Sequence, residues 1–163
     1  MIKKYRMLGL SIITLLIDQI IKFIVVNKMT YLQTIEVIKN FFNITYIKND
    51  GAAFNILSGN KILIILLTVI VVYLFYLLFI RNNKLSLYNE ITYGILLGGI
   101  FGNFLDRLIY GSVIDYLDFK ILGFNYPVFN FADSLIVISI FLILIDVIRG
   151  EDNANNSKRR GQE

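Results

Sequence analysis

The chain has no cysteine, no histidine and no tryptophan among its 163 residues. The first two absences exclude disulfides, thiol nucleophiles, imidazole bases and zinc sites built from Cys and His. Acid–base chemistry is left to carboxylates, lysine and tyrosine. The third leaves tyrosine and phenylalanine as the aromatic anchors at any lipid–water interface. Charge is scarce as well: Asp, Glu, Lys and Arg make up 17% of the chain, against about 25% in soluble domains. Hydrophobic residues reach 56% and the mean hydropathy is +0.67, values that point to a membrane protein. The net charge of +4 and pI near 9.2 do not indicate nucleic acid, because the cations flank apolar segments and form no basic face with interleaved aromatics. They set topology instead.

Four apolar segments, 7–26, 62–80, 91–110 and 131–148, have about the length needed to cross roughly 30 Å of hydrocarbon. The first follows Lys3, Lys4 and Arg6, as a secretory signal would, but Asp18, Gln19 and Lys22 interrupt it and no alanine precedes Ala52. It is therefore expected to be an uncleaved membrane helix. Lys3, Lys4, Arg6, Arg81, Lys84, Arg149, Lys158, Arg159 and Arg160 fall on one side of such a layout, and Lys28, Lys39, Lys48, Lys61 and Lys120 on the other. The positive-inside rule then puts both termini in the cytoplasm. The expected fold is a mainly α membrane protein, a single domain over 1–148 with four transmembrane helices, followed by a disordered cytoplasmic tail over 149–163.

Connections 27–61 and 111–130 lie outside, and the first is too long for a plain loop. Its stretches 34–38 and 41–47, rich in Ile, Val, Phe, Thr and Tyr and separated by Lys39-Asn40, suggest two short strands and a turn. The segment 112–121 has similar composition, so a small extracytoplasmic β-sheet or cradle is expected on the membrane surface. An interfacial helix over 27–38 is the alternative, since short apolar runs do not decide between the two.

Ionisable groups inside a span cost at least about 2.5–3.5 kcal/mol each, so each needs a role. Asp18 and Lys22 sit at i and i+4, where they can pair. Gly94, Gly98 and Gly102 make a ridge that another helix can approach closely. Beyond it, Asn103, Asp106 and Arg107 can form a hydrogen-bonded node, with Asp106 and Arg107 read as structural. The fourth segment opens with Asn130 as a plausible N-cap and Asp133 at N3, where a carboxylate complements the helix dipole. A second acidic cluster contains Asp115 and Asp118. Two carboxyl groups converging in a dry site share a proton, giving one acid and one base at neutral pH, the pair needed to activate water and polarise a peptide carbonyl. On spacing alone Asp115 and Asp118 are equal partners for Asp133. An ion or proton pathway uses intramembrane acids equally well, although transport also predicts acids at the midplane and an inverted repeat, and neither is visible in the sequence.

Five strings in order resemble the bacterial lipoprotein signal peptidases: Asp18-Gln19-x-x-Lys22, Asn49-x-Gly51-Ala52-Ala53-Phe54, Gly98-Gly99-x-x-Gly102-Asn103-x-x-Asp106-Arg107, Val113-x-Asp115-Tyr116 and Phe129-Asn130-x-Ala132-Asp133-Ser134. The resemblance implies catalytic aspartates at Asp115 and Asp133, selecting Asp115 over Asp118, and no metal or other cofactor. It implies an endopeptidase of the bacterial cytoplasmic membrane that removes the signal peptide of a lipid-modified prolipoprotein just before its diacylglyceryl cysteine. It places Asp18, Asn49, Gly51, Asn103, Arg107, Asn130 and Ala132 in the substrate-site region; these, with Lys22 and Asp106, are expected to line the substrate site or support the pair. Tyr116 stands where the family often has Phe, and its extra hydroxyl is expected to matter little if that edge is wet. The Gly51, Ala52, Ala53, Phe54 string is a candidate lid, since glycine frees the backbone and Phe54 supplies an apolar tip. The expected partners are the prolipoprotein and membrane lipid, with the enzyme acting as a monomer.

Overall fold

A computed structural model describes residues 3–51, 57–81 and 85–160. Four helices carry a small sheet at one end: α1 (Lys3–Lys28), α2 (Lys61–Phe75, continued by a π-helical turn, Tyr76–Ile80), α3 (Leu87–Tyr110) and α4 (Phe131–Arg160), with strands β1 (Thr34–Ile38), β2 (Phe42–Asn49), β3 (Val113–Ile121) and β4 (Phe124–Asn125). The sheet is antiparallel in the order β1-β2-β3-β4. Strands 34–38 and 112–121 were expected and are found, as is the second strand of the first hairpin. The open alternative of an interfacial helix over 27–38 is settled, since α1 stops at Lys28 and 34–38 is strand. At the other end, α4 runs through Arg149 to Arg160. Extending an established helix carries no new nucleation cost.

Among the described residues, three helices are long and apolar enough to cross a membrane, over Tyr5–Lys28, Lys61–Ile80 and Phe131–Arg149. α3 is not among them; its composition includes Glu90, Asn103, Asp106 and Arg107, and Glu90, Thr92, Asn103 and Asp106 are buried. It packs along both α1 and α4, which give it apolar surroundings in place of lipid. Its glycines make that possible. A Cβ on Gly98 would collide with the Thr14 side chain and lie 2.8 Å from the Ser11 carbonyl of α1, and one on Gly99 would lie 2.7 Å from the Ala132 carbonyl of α4. Small residues thus let three backbones approach closely, the usual route to helix association where lipid removes the hydrophobic drive. Ser86 caps the start of α3, its hydroxyl accepting from the Asn89 N–H at 3.1 Å, and Gly111, at φ +77°, ends it in the left-handed conformation.

The sheet is fastened to the end of α1 by a buried cluster of Val25, Tyr46, Ile114 and Tyr116. Along β3 the side chains alternate: Val113, Asp115, Phe119 and Ile121 border a cavity of about 1200 Å³ between the sheet and the helices, while Ile114 and Tyr116 face the cluster. Phe119 extends the cavity wall by stacking on Phe42 and Phe129, with centroids at 4.6 and 5.8 Å.

Candidate active site

The start of α4 is the framework of the site. The Asn130 side-chain oxygen accepts from the Asp133 N–H at 2.9 Å and the Asp133 carboxylate accepts from the Asn130 N–H at 3.1 Å, a reciprocal capping box. The two N–H groups between them need partners from elsewhere. Phe131 donates to the Tyr116 hydroxyl at 3.2 Å and Ala132 to the Asp18 carboxylate at 3.1 Å. The cap uses one oxygen of Asp133 and fixes the other, which accepts from the Asn103 amide at 2.7 Å. Ala132 is fully buried where α4 crosses α3, and its small side chain permits that crossing.

Asp115 comes from the sheet and is 1% exposed. Its two oxygens accept from Asn130 Nδ2 at 2.7 Å and Asn49 Nδ2 at 3.0 Å. Burial, and then the Asp133 charge, push its carboxyl up to about 7, outweighing the two amide donors that favour ionisation. The two aspartates are linked through a pair of amides: Asn130 Nδ2 donates to both Asp115 and Asn103 Oδ1 (3.0 Å), and Asn103 Nδ2 donates to Asp133. Both carboxylates border the cavity, together with Asn49, Asn103 and Arg107 at its polar end; its long apolar wall includes Leu67, Val71 and Phe75 of α2 and Ile136 and Ile140 of α4.

Beneath the pair lies a charged core. The Lys22 ammonium, 2% exposed, contacts Asp18 and Asp106, both at 2.8 Å, and donates its remaining proton to Asn103 Oδ1 at 3.0 Å. The expected Asp18–Lys22 pair is present and is enlarged by Asp106. Gln19, beside this pair, donates to Asp106 at 2.9 Å and to the Gly102 carbonyl at 3.2 Å. Asp106 also accepts from the Ile114 N–H at 3.1 Å, tying α3 to β3.

Arg107 donates to the Asn103 carbonyl at 3.3 Å and to the Gly51 carbonyl at 2.8 Å. Its charge faces Asp133, Asp115 and Asp106. The edge at Tyr116 is buried, not wet, and its hydroxyl accepts from the Phe131 N–H at the start of α4. Asn49 joins the site at the end of β2, and its Oδ1 accepts from the Gly51 N–H at 3.0 Å. Of the lid string Gly51, Ala52, Ala53, Phe54, only Gly51 is described; the other three lie outside the described residues.

Asp118 stands on the opposite side of β3 from the cavity, held by Thr45 at 2.7 Å and Asn43 at 3.2 Å. Three residues after Asp115 on a strand means the other face. Asp118→Asn is therefore expected to keep activity within a few-fold of the parent; a loss as complete as that of Asp115→Asn would show that the wrong carboxylate had been chosen.

Residues 10–149 match the family model described as Signal peptidase (SPase) II. A lipoprotein signal peptidase of Staphylococcus haemolyticus (strain JCSC1435) is 38% identical over 150 residues, covering 90% of this chain and 95% of that protein. One of Staphylococcus aureus is 35% identical over 160 residues, with 96% and 98% covered. Two solved bacterial membrane enzyme structures are similar in fold: one, at 2.3 Å resolution, has a TM-score of 0.83 at 33% identity and covers 90% of each chain. The other, at 1.9 Å, has a TM-score of 0.77 at 34% identity, covering 86% of this chain and 91% of its own.

Proposed function

The chain belongs to the signal peptidase II family, and from that premise we propose that it removes prolipoprotein signal peptides with Asp115 and Asp133 as its catalytic pair. The observation that carries the assignment of the pair is their arrangement: two carboxylates from different elements, joined by the Asn130–Asn103 amide bridge, at the polar end of an otherwise apolar cavity. A water between them is deprotonated by the ionised member as it attacks the scissile carbonyl. The protonated member donates to the carbonyl oxygen, and the proton taken from water passes to the leaving amine as the tetrahedral intermediate collapses. Asn103 and Asn130 hold the carboxylates, while Arg107 holds Gly51 beside Asn49.

The cavity supports the substrate class. Its wall between α2 and α4 suits acyl chains and an apolar signal segment, and its polar end suits the bond just before a diacylglyceryl cysteine. We place all four helices across the cytoplasmic membrane, with α3 shielded by α1 and α4, both termini on the cytoplasmic side and the pair at the outer face. The enzyme acts as a monomer, since one chain supplies the whole constellation. The test is cleavage in detergent of a prolipoprotein with and without its diacylglyceryl group, with the product N-terminus read by mass spectrometry. Cleavage anywhere but before the modified cysteine would overturn the reading.

A pH dependence follows. With its carboxyl up to about 7, Asp115 holds a proton below that pH and loses it above, so the singly protonated pair disappears. Cleavage is expected to fall as pH rises through about 7, with the apparent value belonging to the pair. The folded value lies above the ordinary one of 3.8, so the protonated group favours the fold, and that contribution is lost as pH rises from about 4 through about 7. Thermal unfolding of Asp115→Asn should lack this decline. An activity profile rising steadily from pH 6 to 9 would contradict the assignment.

A further inference from the structure

The two hairpins of the sheet turn at the same end, because Phe42 at the start of β2 pairs with Phe119 near the end of β3, yet their tips differ in chemistry. The β1–β2 turn carries Lys39 and Asn40, with Asn40 at φ +57°, a polar residue well suited to that conformation in water. The β3–β4 turn is a two-residue loop between the paired Ile121 and Phe124, with Leu122 at φ +51° and Gly123 at φ +84°. Both central residues are left-handed, as a type I′ turn requires, and the first of them is normally Asn, Asp or Gly. Here it is a leucine, 95% exposed, followed by Phe124 at 79%. Neither local backbone preference nor packing within the chain accounts for an apolar side chain at that point.

What surrounds the tip supplies the reason. The loop leaves α3 at Gly111 and returns to α4 at Phe131, and Ile121 and Tyr126 at its base border the same cavity as Ile136 and Ile140 of α4. In the membrane placement proposed above, the hairpin therefore overhangs the helices at the level of the headgroups. Lys120 beside it is exposed and can extend to lipid phosphate while its stem follows the apolar surface. We infer that the Leu122–Phe124 tip inserts into the outer-leaflet interface, so that the β4 corner of the sheet is anchored in lipid while the Lys39–Asn40 corner stays in water. In a chain without tryptophan, Leu, Phe and Tyr here take the anchoring role.

The absence of tryptophan also supplies the test. Leu122→Trp, Phe124→Trp and Lys39→Trp each introduce a single indole into the full chain. Each variant is reconstituted into phosphatidylethanolamine–phosphatidylglycerol vesicles, with or without acyl chains brominated near the headgroup. Positions 122 and 124 should emit to the blue of position 39 and lose most of their emission to brominated lipid, while position 39 keeps its own. Phe124→Trp has an ordinary backbone conformation and decides the matter if Leu122→Trp fails to fold. Ile70→Trp on the exposed side of α2 should be quenched by bromines deep in the chains whatever the tip does, which separates failure of the anchor from failure of the membrane placement on which it rests. Tip indoles quenched no more than position 39 would overturn the inference. So would protection that appears only after a prolipoprotein is added, which would assign the tip to substrate.

Discussion

Asp115→Asn and Asp133→Asn are each expected to reduce prolipoprotein cleavage by roughly 10²–10⁴-fold or more, the contribution of a positioned acid or base, while the protein still inserts and folds. Asparagine keeps the volume and removes the proton exchange. At position 115 both carboxylate oxygens accept from amides, Asn49 and Asn130, so the new NH₂ group meets a donor and the Asn49–Gly51 connection must adjust. At position 133 one oxygen belongs to the α4 cap and the other to Asn103, and the loss of activity should come with a modest fall in melting temperature. Product formation in detergent, normalised to protein with an intact unfolding transition, is the measurement. Near-parental turnover by either variant would end the case for the pair.

Lys22→Met should have the largest effect on stability. It leaves Asp18 and Asp106, both fully buried, without the ammonium that holds them, and breaking a buried ion pair from one side costs about 3–5 kcal/mol. Activity should fall with it, because Lys22 and Asn130 both donate to Asn103 Oδ1 and thereby turn its NH₂ toward Asp133. Adding Asp106→Asn removes one of the orphaned charges and should recover part of the lost stability, as expected when two substitutions act on one network. Thermal unfolding of the single and double variants measures this. Equal melting temperatures for Lys22→Met and the parent would mean the charged core contributes nothing to holding α1 against α3.

The helices were legible because crossing a membrane demands apolar length, and α3 was legible despite its polarity because its glycines and its Asn103, Asp106 and Arg107 stand at helical spacing. Strands in the two long connections, 27–61 and 111–130, followed from β-branched and aromatic composition. β4 escaped because two residues after a turn carry no periodicity. The preference for Asp115 over Asp118 came from family resemblance, although strand alternation already separated them: an offset of three puts two side chains on opposite faces of any strand. The partners of Asp106 and Arg107 were illegible for a different reason. A helix fixes which of its own residues are neighbours, but Lys22 and Gly51 arrive from elsewhere in the chain, and only tertiary structure shows which charge each meets.

The first turn of α4 has a bearing on how the protein is made. Its N–H groups are satisfied by a hydroxyl from β3, a carboxylate from α1 and the helix's own Asn130, so the geometry around Asp133 exists only after segments far apart in the chain have met. A ribosome delivers α4 after the other three helices, and until it docks the nascent chain has Asp115 but no second carboxylate beside it. On the proposed pairing, proteolytic competence is thus coupled to complete insertion of the chain.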